Sequence, residues 1–182
     1  MTHYMVFDVE SIGLHGDAFA IGYVVVDETG KRLEERLFAS YERAEGDEGD
    51  REWVNDNVPY FLMSSHSMLY RYDTLREMRA AFWQAWRSWA ERGATLWADC
   101  AWPVEARFLA RCVDDVPVYH KWQGPYPLHE IATLALVAGH DPTATVARLP
   151  DEWPQHDPLN DARQSARLLL QYLGELQAVR NA

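Results

Sequence analysis

Tyr4-Met5-Val6-Phe7-Asp8-Val9-Glu10 and, one short polar turn later, Ala18-Phe19-Ala20-Ile21-Gly22-Tyr23-Val24-Val25-Val26-Asp27 decide the fold. The first is a short buried run. The second is rich in β-branched residues and of strand length. Glu28-Thr29-Gly30 then makes a turn, and Arg32 to Ser40 sets Leu33, Glu35 and Leu37 against Arg32, Glu34 and Arg36. Three strands joined by short turns predict an antiparallel meander.

Outward from this meander the pattern changes period. Glu42 to Asp56 holds seven acids and two glycines and reads as a loop. Thr74 to Arg92 reads as a helix, because Thr74-Leu75-Arg76-Glu77 fits a capping box and Leu75, Met78, Phe82, Ala85, Trp86 and Trp89 share one face. Gly93 stops it. Ala94 to Ala98 follows as a buried strand, Pro103 opens a helix to about Cys112, and Val116 to Tyr119 reads as a short strand. Leu128 to Ala138 is a helix ended by Gly139. Asp157 or Asn160 caps a last helix with Ala162, Ala166, Leu169 and Leu173 on one stripe. The order predicts an α/β fold: a mixed five-stranded sheet, meander first and βαβ units after it, flanked by helices in a single domain over residues 1–182.

Composition narrows the function classes. A chain of 182 residues with 48% hydrophobic and 25% charged residues is ordinary for a globular domain. No apolar run reaches spanning length, and the start Met1-Thr2-His3-Tyr4 lacks the pattern of a secretory signal, so no membrane association and a cytoplasmic location are expected. Cys100 and Cys112 are the only cysteines, without zinc spacing, and read as reduced thiols. The net charge of −11 argues against a nonspecific nucleic-acid coat but not against a nuclease, since carboxylates gathered for cations also count as negative. Fifteen of the 17 basic residues are Arg, enough for a phosphate-binding rim. A phosphate-cradling glycine loop and a G-x-S-x-G nucleophile are both missing from the sequence.

The chemistry sits at the two ends. Asp8 and Glu10 are two apart on a strand, so both face one side of a sheet and can converge on one ion. A second Asp-x-Glu, at Asp50 and Glu52, follows no apolar strand and reads as solvated charge. His156 and Asp161 are five apart and share no helical face; they cooperate only if His156 lies in the loop and Asp161 in the first helical turn, which Pro158 favours. Between these ends, Asp99 lies in the loop after a strand and Glu105 in the first turn of a helix, where simple charge–dipole capping also explains an acid.

Together these segments resemble the DEDDh 3′-5′ exonucleases, the DnaQ-like and RNase T-like group with a ribonuclease H-like fold. Phe7-Asp8-Val9-Glu10-Ser11-Ile12-Gly13-Leu14 is similar to the family's first motif, F-D-x-E-T-T-G-L, and His156-x4-Asp161-Ala162-Arg163 to its third. The middle motif departs: Glu105 stands before Ala106-Arg107-Phe108-Leu109 where the family has Asp, with Asp99 as the competing candidate. The resemblance implies two Mg²⁺ or Mn²⁺ ions held by Asp8, Glu10, Asp161 and the middle acid, with His156 as general base. It also implies a terminal nucleotide received by Ser11, Ile12, Gly13 and Leu14, with Leu14 as a wedge. The substrate implied is the 3′ end of single-stranded nucleic acid, RNA slightly ahead of DNA, cut to nucleoside 5′-monophosphates. A homodimer, as in RNase T-like relatives, is possible on the same ground. The alternatives are a catalytically degenerate nuclease fold that binds nucleic acid or a partner protein, and a proofreading-type polymerase subunit. Trp102 lies near the proposed site but reads as a packing residue, as do Trp83, Trp86 and Trp89.

Overall fold

A computed structural model describes residues 2–58 and 69–181. Along the chain run β1 (His3–Ser11), β2 (Ala18–Asp27), β3 (Arg32–Ser40), α1 (Glu48–Asn57), β4 (Leu69–Tyr72), α2 (Leu75–Ala90), β5 (Ala94–Ala98) and α3 (Val104–Asp115). After them come α4 (Pro117–His120), β6 (His129–Glu130), α5 (Ile131–Val137), a 3₁₀ turn (Pro150–Glu152) and α6 (Pro158–Arg180). The sheet order is β4-β3-β2-β1-β5-β6. β1, β2 and β3 pair antiparallel, whereas β1–β5, β3–β4 and β5–β6 are parallel. The expected α/β architecture with a mixed, helix-flanked sheet is therefore present, and it is compatible with a ribonuclease H-like fold. Among the described residues no helix is long and apolar enough to cross a membrane.

Four local expectations are corrected. The sheet has six strands rather than five, because β4 adds an edge beside β3 that four mixed residues do not announce. Val116 to Tyr119 is a helical turn, α4, since Pro117 takes the first helical position, where its missing N–H costs nothing. The start of the expected Leu128–Ala138 helix is drawn into β6, so α5 begins only at Ile131. The acidic run also contains a helix. Asp47 caps α1 by accepting from the Gly49 N–H at 2.8 Å, and Glu48 and Asp50 sit in the first turn, where the helix dipole favours them.

The α2 capping box forms as expected: Thr74 Oγ1 accepts from the Glu77 N–H at 3.1 Å, and Glu77 Oε2 accepts from the Thr74 N–H at 3.0 Å. The helix then buries Met78, Phe82, Trp83, Trp86 and Trp89. They pack with Met5, Phe7, Val9, Ile21 and Tyr23 of the sheet and with Phe108 of α3. Each such side chain contributes roughly 1.5–3 kcal/mol by leaving water. The opposite face packs Val6, Val24 and Val26 against Ile131 of α5 and Ala162, Ala166 and Leu169 of α6. Side chains alternate along a strand. Asp8 and Glu10 share the parity of Val6, so they belong to the α6 face.

Gly22 lets α6 come close enough to matter. It pairs with Asp8 across β1–β2, and a Cβ there would lie 2.2 Å from the Leu159 backbone nitrogen. The first turn of α6 thus rests directly on the sheet opposite Asp8.

Candidate functional site

β1 continues past its partner β5, whose pairing stops at Val6 and Trp97. A register shift between Glu10 and Ser11 then bends the strand's end, a device that re-aims side chains beside sites. Glu10 is 8% exposed although it is a carboxylate. α6 supplies the facing groups. Asp157 caps it by accepting from the Leu159 N–H at 3.0 Å, and Asp161 lies one turn in.

His156 lies just before this cap, in the loop as its spacing requires. Its φ of 62° makes it the one non-glycine in the left-handed region among the described residues. Such a backbone is costly for a residue with a Cβ and persists only when its surroundings hold it. They do so here: the His156 N–H donates to Asp161 Oδ2 at 3.0 Å, and the Trp53 ring meets the imidazole edge-on at 5.1 Å. Ion pairs anchor the preceding loop. Arg167 grips the buried Glu152 at 2.7 and 2.9 Å. Arg163 donates to Glu35 at 3.0 and 2.7 Å and to the Asp151 carbonyl at 3.1 Å.

The result is a convergence of acids. One ligand atom each from Glu10, His156 and Asp161 lies within 4.8 Å of the others. His156 Nδ1 is 3.8 Å from Glu10 Oε1. Asp8 is held well above the usual carboxylate range by the protein packed around it and then by Asp161, Glu10, Glu105 and Asp99. Burial first, then Asp161, Glu105 and Asp157, push Glu10 from 4.5 to about 9.

The two middle candidates both approach Asp8, but differently. Glu105 is 8% exposed, and its carboxylate accepts from the backbone N–H groups of Val9 and of Glu105 itself. Burial raises it from 4.5 to about 7 against those two hydrogen bonds, with Asp99 adding repulsion. Asp99 still reaches solvent at the end of β5, although the dense protein around its carboxylate, then Asp161 and Glu130, raise its pKa. Glu105 bears on both Asp8 and Glu10, Asp99 on Asp8 alone.

Arg148 is the cation that answers this charge. Its Nη1 lies 2.5 Å from Asp161 Oδ1 and 2.8 Å from the Glu152 carbonyl, with the side chain 11% exposed. Burial still outweighs Arg148 and His156 in setting Asp161 above its ordinary value. One guanidinium does not balance four converging carboxylates. Oxygen donors with one imidazole suit hard divalent cations. The donor set therefore fits Mg²⁺ or Mn²⁺.

Beside Glu10 opens a cleft of about 400 Å³ walled by Ser11, Gly13, Leu14, Trp53 and Val104. Leu14 is 61% and Trp53 48% exposed. Gly13 takes φ 62°, and a Cβ there would meet the Asp50 carboxylate at 2.0 Å, so α1 sits against this turn. Ser11 Oγ donates to the Gly13 carbonyl at 2.6 Å. Ile12 does not face the cleft: it is 4% exposed in the core, and its N–H and carbonyl bond to Asp17 and Gly16. Trp102 is 73% exposed, not packed, whereas Trp83, Trp86 and Trp89 are core residues.

Sequence reasoning missed Arg148 and Trp53. Nothing local marks Arg148. Trp53 carried a signal, because Asp47 followed by Glu48 and Asp50 is a helix start, and Val54 and Val58 recur at helical spacing. No protein-family model matches the chain, and no curated protein matches it by sequence.

Proposed function

We propose that this protein is a divalent-metal-dependent 3′-5′ exonuclease of the DEDDh kind, acting on single-stranded nucleic acid, RNA slightly ahead of DNA, in the cytoplasm. The observation that carries the reading is the convergence of Glu10, His156 and Asp161, whose ligand atoms lie within 4.8 Å of one another, with the carboxylates of Asp8 and Glu105 near enough to act on the same cluster. Asp8, Glu10 and Asp161, with Glu105 behind them, would hold two ions. Ions bound there supply charge stabilisation for the attacking and leaving oxygens of a displacement at phosphorus.

The chain's own residues do the rest. His156 takes a proton from the attacking water as general base. Its left-handed backbone, the bond to Asp161 and the Trp53 edge fix the ring's place, which is preorganisation. Water adds to the phosphorus, the bond to the 3′ oxygen of the preceding nucleotide breaks, and that oxygen leaves with a proton. The products are a nucleoside 5′-monophosphate and a strand one residue shorter. The Leu14–Trp53 cleft suits a nucleobase, since aromatic stacking accepts any base.

Matched 5′-labelled RNA and DNA oligonucleotides, incubated with Mg²⁺ or Mn²⁺, test this. The labelled strands should shorten stepwise from the 3′ end only with the metal, with the released mononucleotides detected by chromatography, and both signals should vanish in Asp8→Ala. Undiminished release from that variant refutes the assignment. A second reading, a nuclease fold that binds nucleic acid without cutting it, draws on the contact of Arg148 with Asp161. It requires that divalent ions leave the thermal midpoint unmoved and that neither oligonucleotide is shortened.

A further inference from the structure

The base-sized cleft does not end at Leu14. Ser11, Leu14 and Val104 are shared with a second, smaller depression, whose outer wall is Arg79, Arg107 and Arg111. Arg107 and Arg111 are one turn apart on α3, hence neighbours on its surface, and both are exposed. Neither makes an ion pair or side-chain hydrogen bond among the described residues. Arg79 differs, because Asp115 holds it through two bonds at 2.6 and 3.0 Å. Asp17, the acid in the lining of the depression, accepts from the Glu45 N–H at 3.1 Å.

This placement is unfavourable for the isolated chain. Like charges one turn apart repel, and Arg107 lies near the helix N-terminus, where the dipole already disfavours a cation. A polyanion relieves both. The whole chain carries −11, so two uncompensated guanidinium groups beside an acidic centre set up a local reversal of sign at the mouth.

We propose that Arg107 and Arg111 form a phosphate track that receives the phosphodiester backbone of a single strand as it leaves the Leu14–Trp53 cleft. The track rests on the reading of that cleft as the seat of a nucleic-acid 3′ end. It adds the direction of the strand, from Glu10 over Leu14 and along α3. It also makes substrate length matter, because a dinucleotide has only its scissile internucleotide phosphate, whereas a longer strand has further phosphates for both arginines. Planar guanidinium groups suit phosphate oxygens, and their charge makes the contact salt-dependent without reading sequence.

The test measures binding of a fluorescein-labelled single-stranded dodecanucleotide by anisotropy, in Ca²⁺ and over a series of KCl concentrations. Wild type is compared with Arg107→Gln/Arg111→Gln and with Arg107→Lys/Arg111→Lys, thermal midpoints serving as the folding control. Each lost phosphate contact removes about 0.7 from the slope of log affinity against log salt for a single strand. The Gln pair should therefore lower the slope by about 1.4 and weaken binding about tenfold at low salt. The Lys pair should keep most of the slope. In Mn²⁺, the loss of kcat/KM in the Gln pair should widen from dinucleotide to dodecanucleotide. Equal slopes in wild type and the Gln pair, or no binding by wild type, overturn the track. Wild type that binds with the expected slope but never shortens the strand supports the track and sinks the exonuclease reading instead.

Discussion

Raising the pH of the metal-free protein should destabilise it. Glu105 is buried and stands at about 7 in the fold against an ordinary 4.5. Below the ordinary value both folded and unfolded chains hold the proton, and the group has no differential effect. Between the two values the folded chain keeps a proton that the unfolded chain releases, so folding becomes less favourable as the pH climbs. The loss is complete above the folded value. At ~1.4 kcal/mol per pH unit, Glu105 alone gives on the order of 3 kcal/mol across that window. Glu10, raised to about 9, extends the fall to higher pH. The two carboxylates share one field, so their contributions do not simply add. Urea unfolding followed by tryptophan fluorescence, in EDTA at about pH 5.5 and about pH 8, measures the difference. Mg²⁺ or Mn²⁺ at ~100 times its dissociation constant should return roughly 2.7 kcal/mol, and one fixed concentration should return more at the higher pH, where the carboxylates bind it more tightly. Asp8→Asn should flatten the decline by removing one charge from the cluster. Metal-free stability that is level or rising between the two pH values would refute the crowded-carboxylate account.

Gly22→Ala should cost about 1–3 kcal/mol, because its Cβ meets α6 backbone rather than a yielding side chain, and the same displacement should weaken metal binding at Asp161; a denaturation midpoint within error of wild type counts against the close approach. Arg148→Gln should tighten Mn²⁺ binding in calorimetry by freeing Asp161 Oδ1, whereas weaker binding would make Arg148 a residue that orients the carboxylate. Trp53→Ala removes a cleft wall and the ring beside His156; with stacking at ~1–3 kcal/mol per base, KM should rise roughly five- to 150-fold. An unchanged KM leaves Trp53 without a substrate role.

The meander was legible because β2 declares itself: five of the six residues from Ile21 to Val26 are aromatic or β-branched, and all six are buried. α2 was legible because a capping box is a local device whose two bonds need no tertiary help. β4 and β6 were not, since four and two residues join the sheet only because β3 and β5 offer them free edges. α1 failed for a different reason. Its charge density reads as loop, yet the acids at its start are what its dipole favours. At the site, Asp8 and Glu10 followed from a period of two. His156 needed a left-handed backbone that no spacing reveals. Arg148 reaches Asp161 from a loop whose path is set by Arg163 and Arg167.

The two middle acids are held in different ways. β1 outruns β5 beyond Val6, which leaves backbone groups on that edge without a strand partner. The Val9 N–H lies on β1 between Asp8 and Glu10, and Glu105 accepts from it. The longer glutamate arm thus serves two ends at once: it satisfies a backbone donor that burial would otherwise leave costly, and it fixes a carboxylate against both acids of β1. Asp99, held outside by the loop that Glu130 braces through the Ala101 N–H at 3.0 Å, adds field without that anchor. The two acids thus differ in setting: Glu105 is buried against both acids of β1, and Asp99 is exposed beside them.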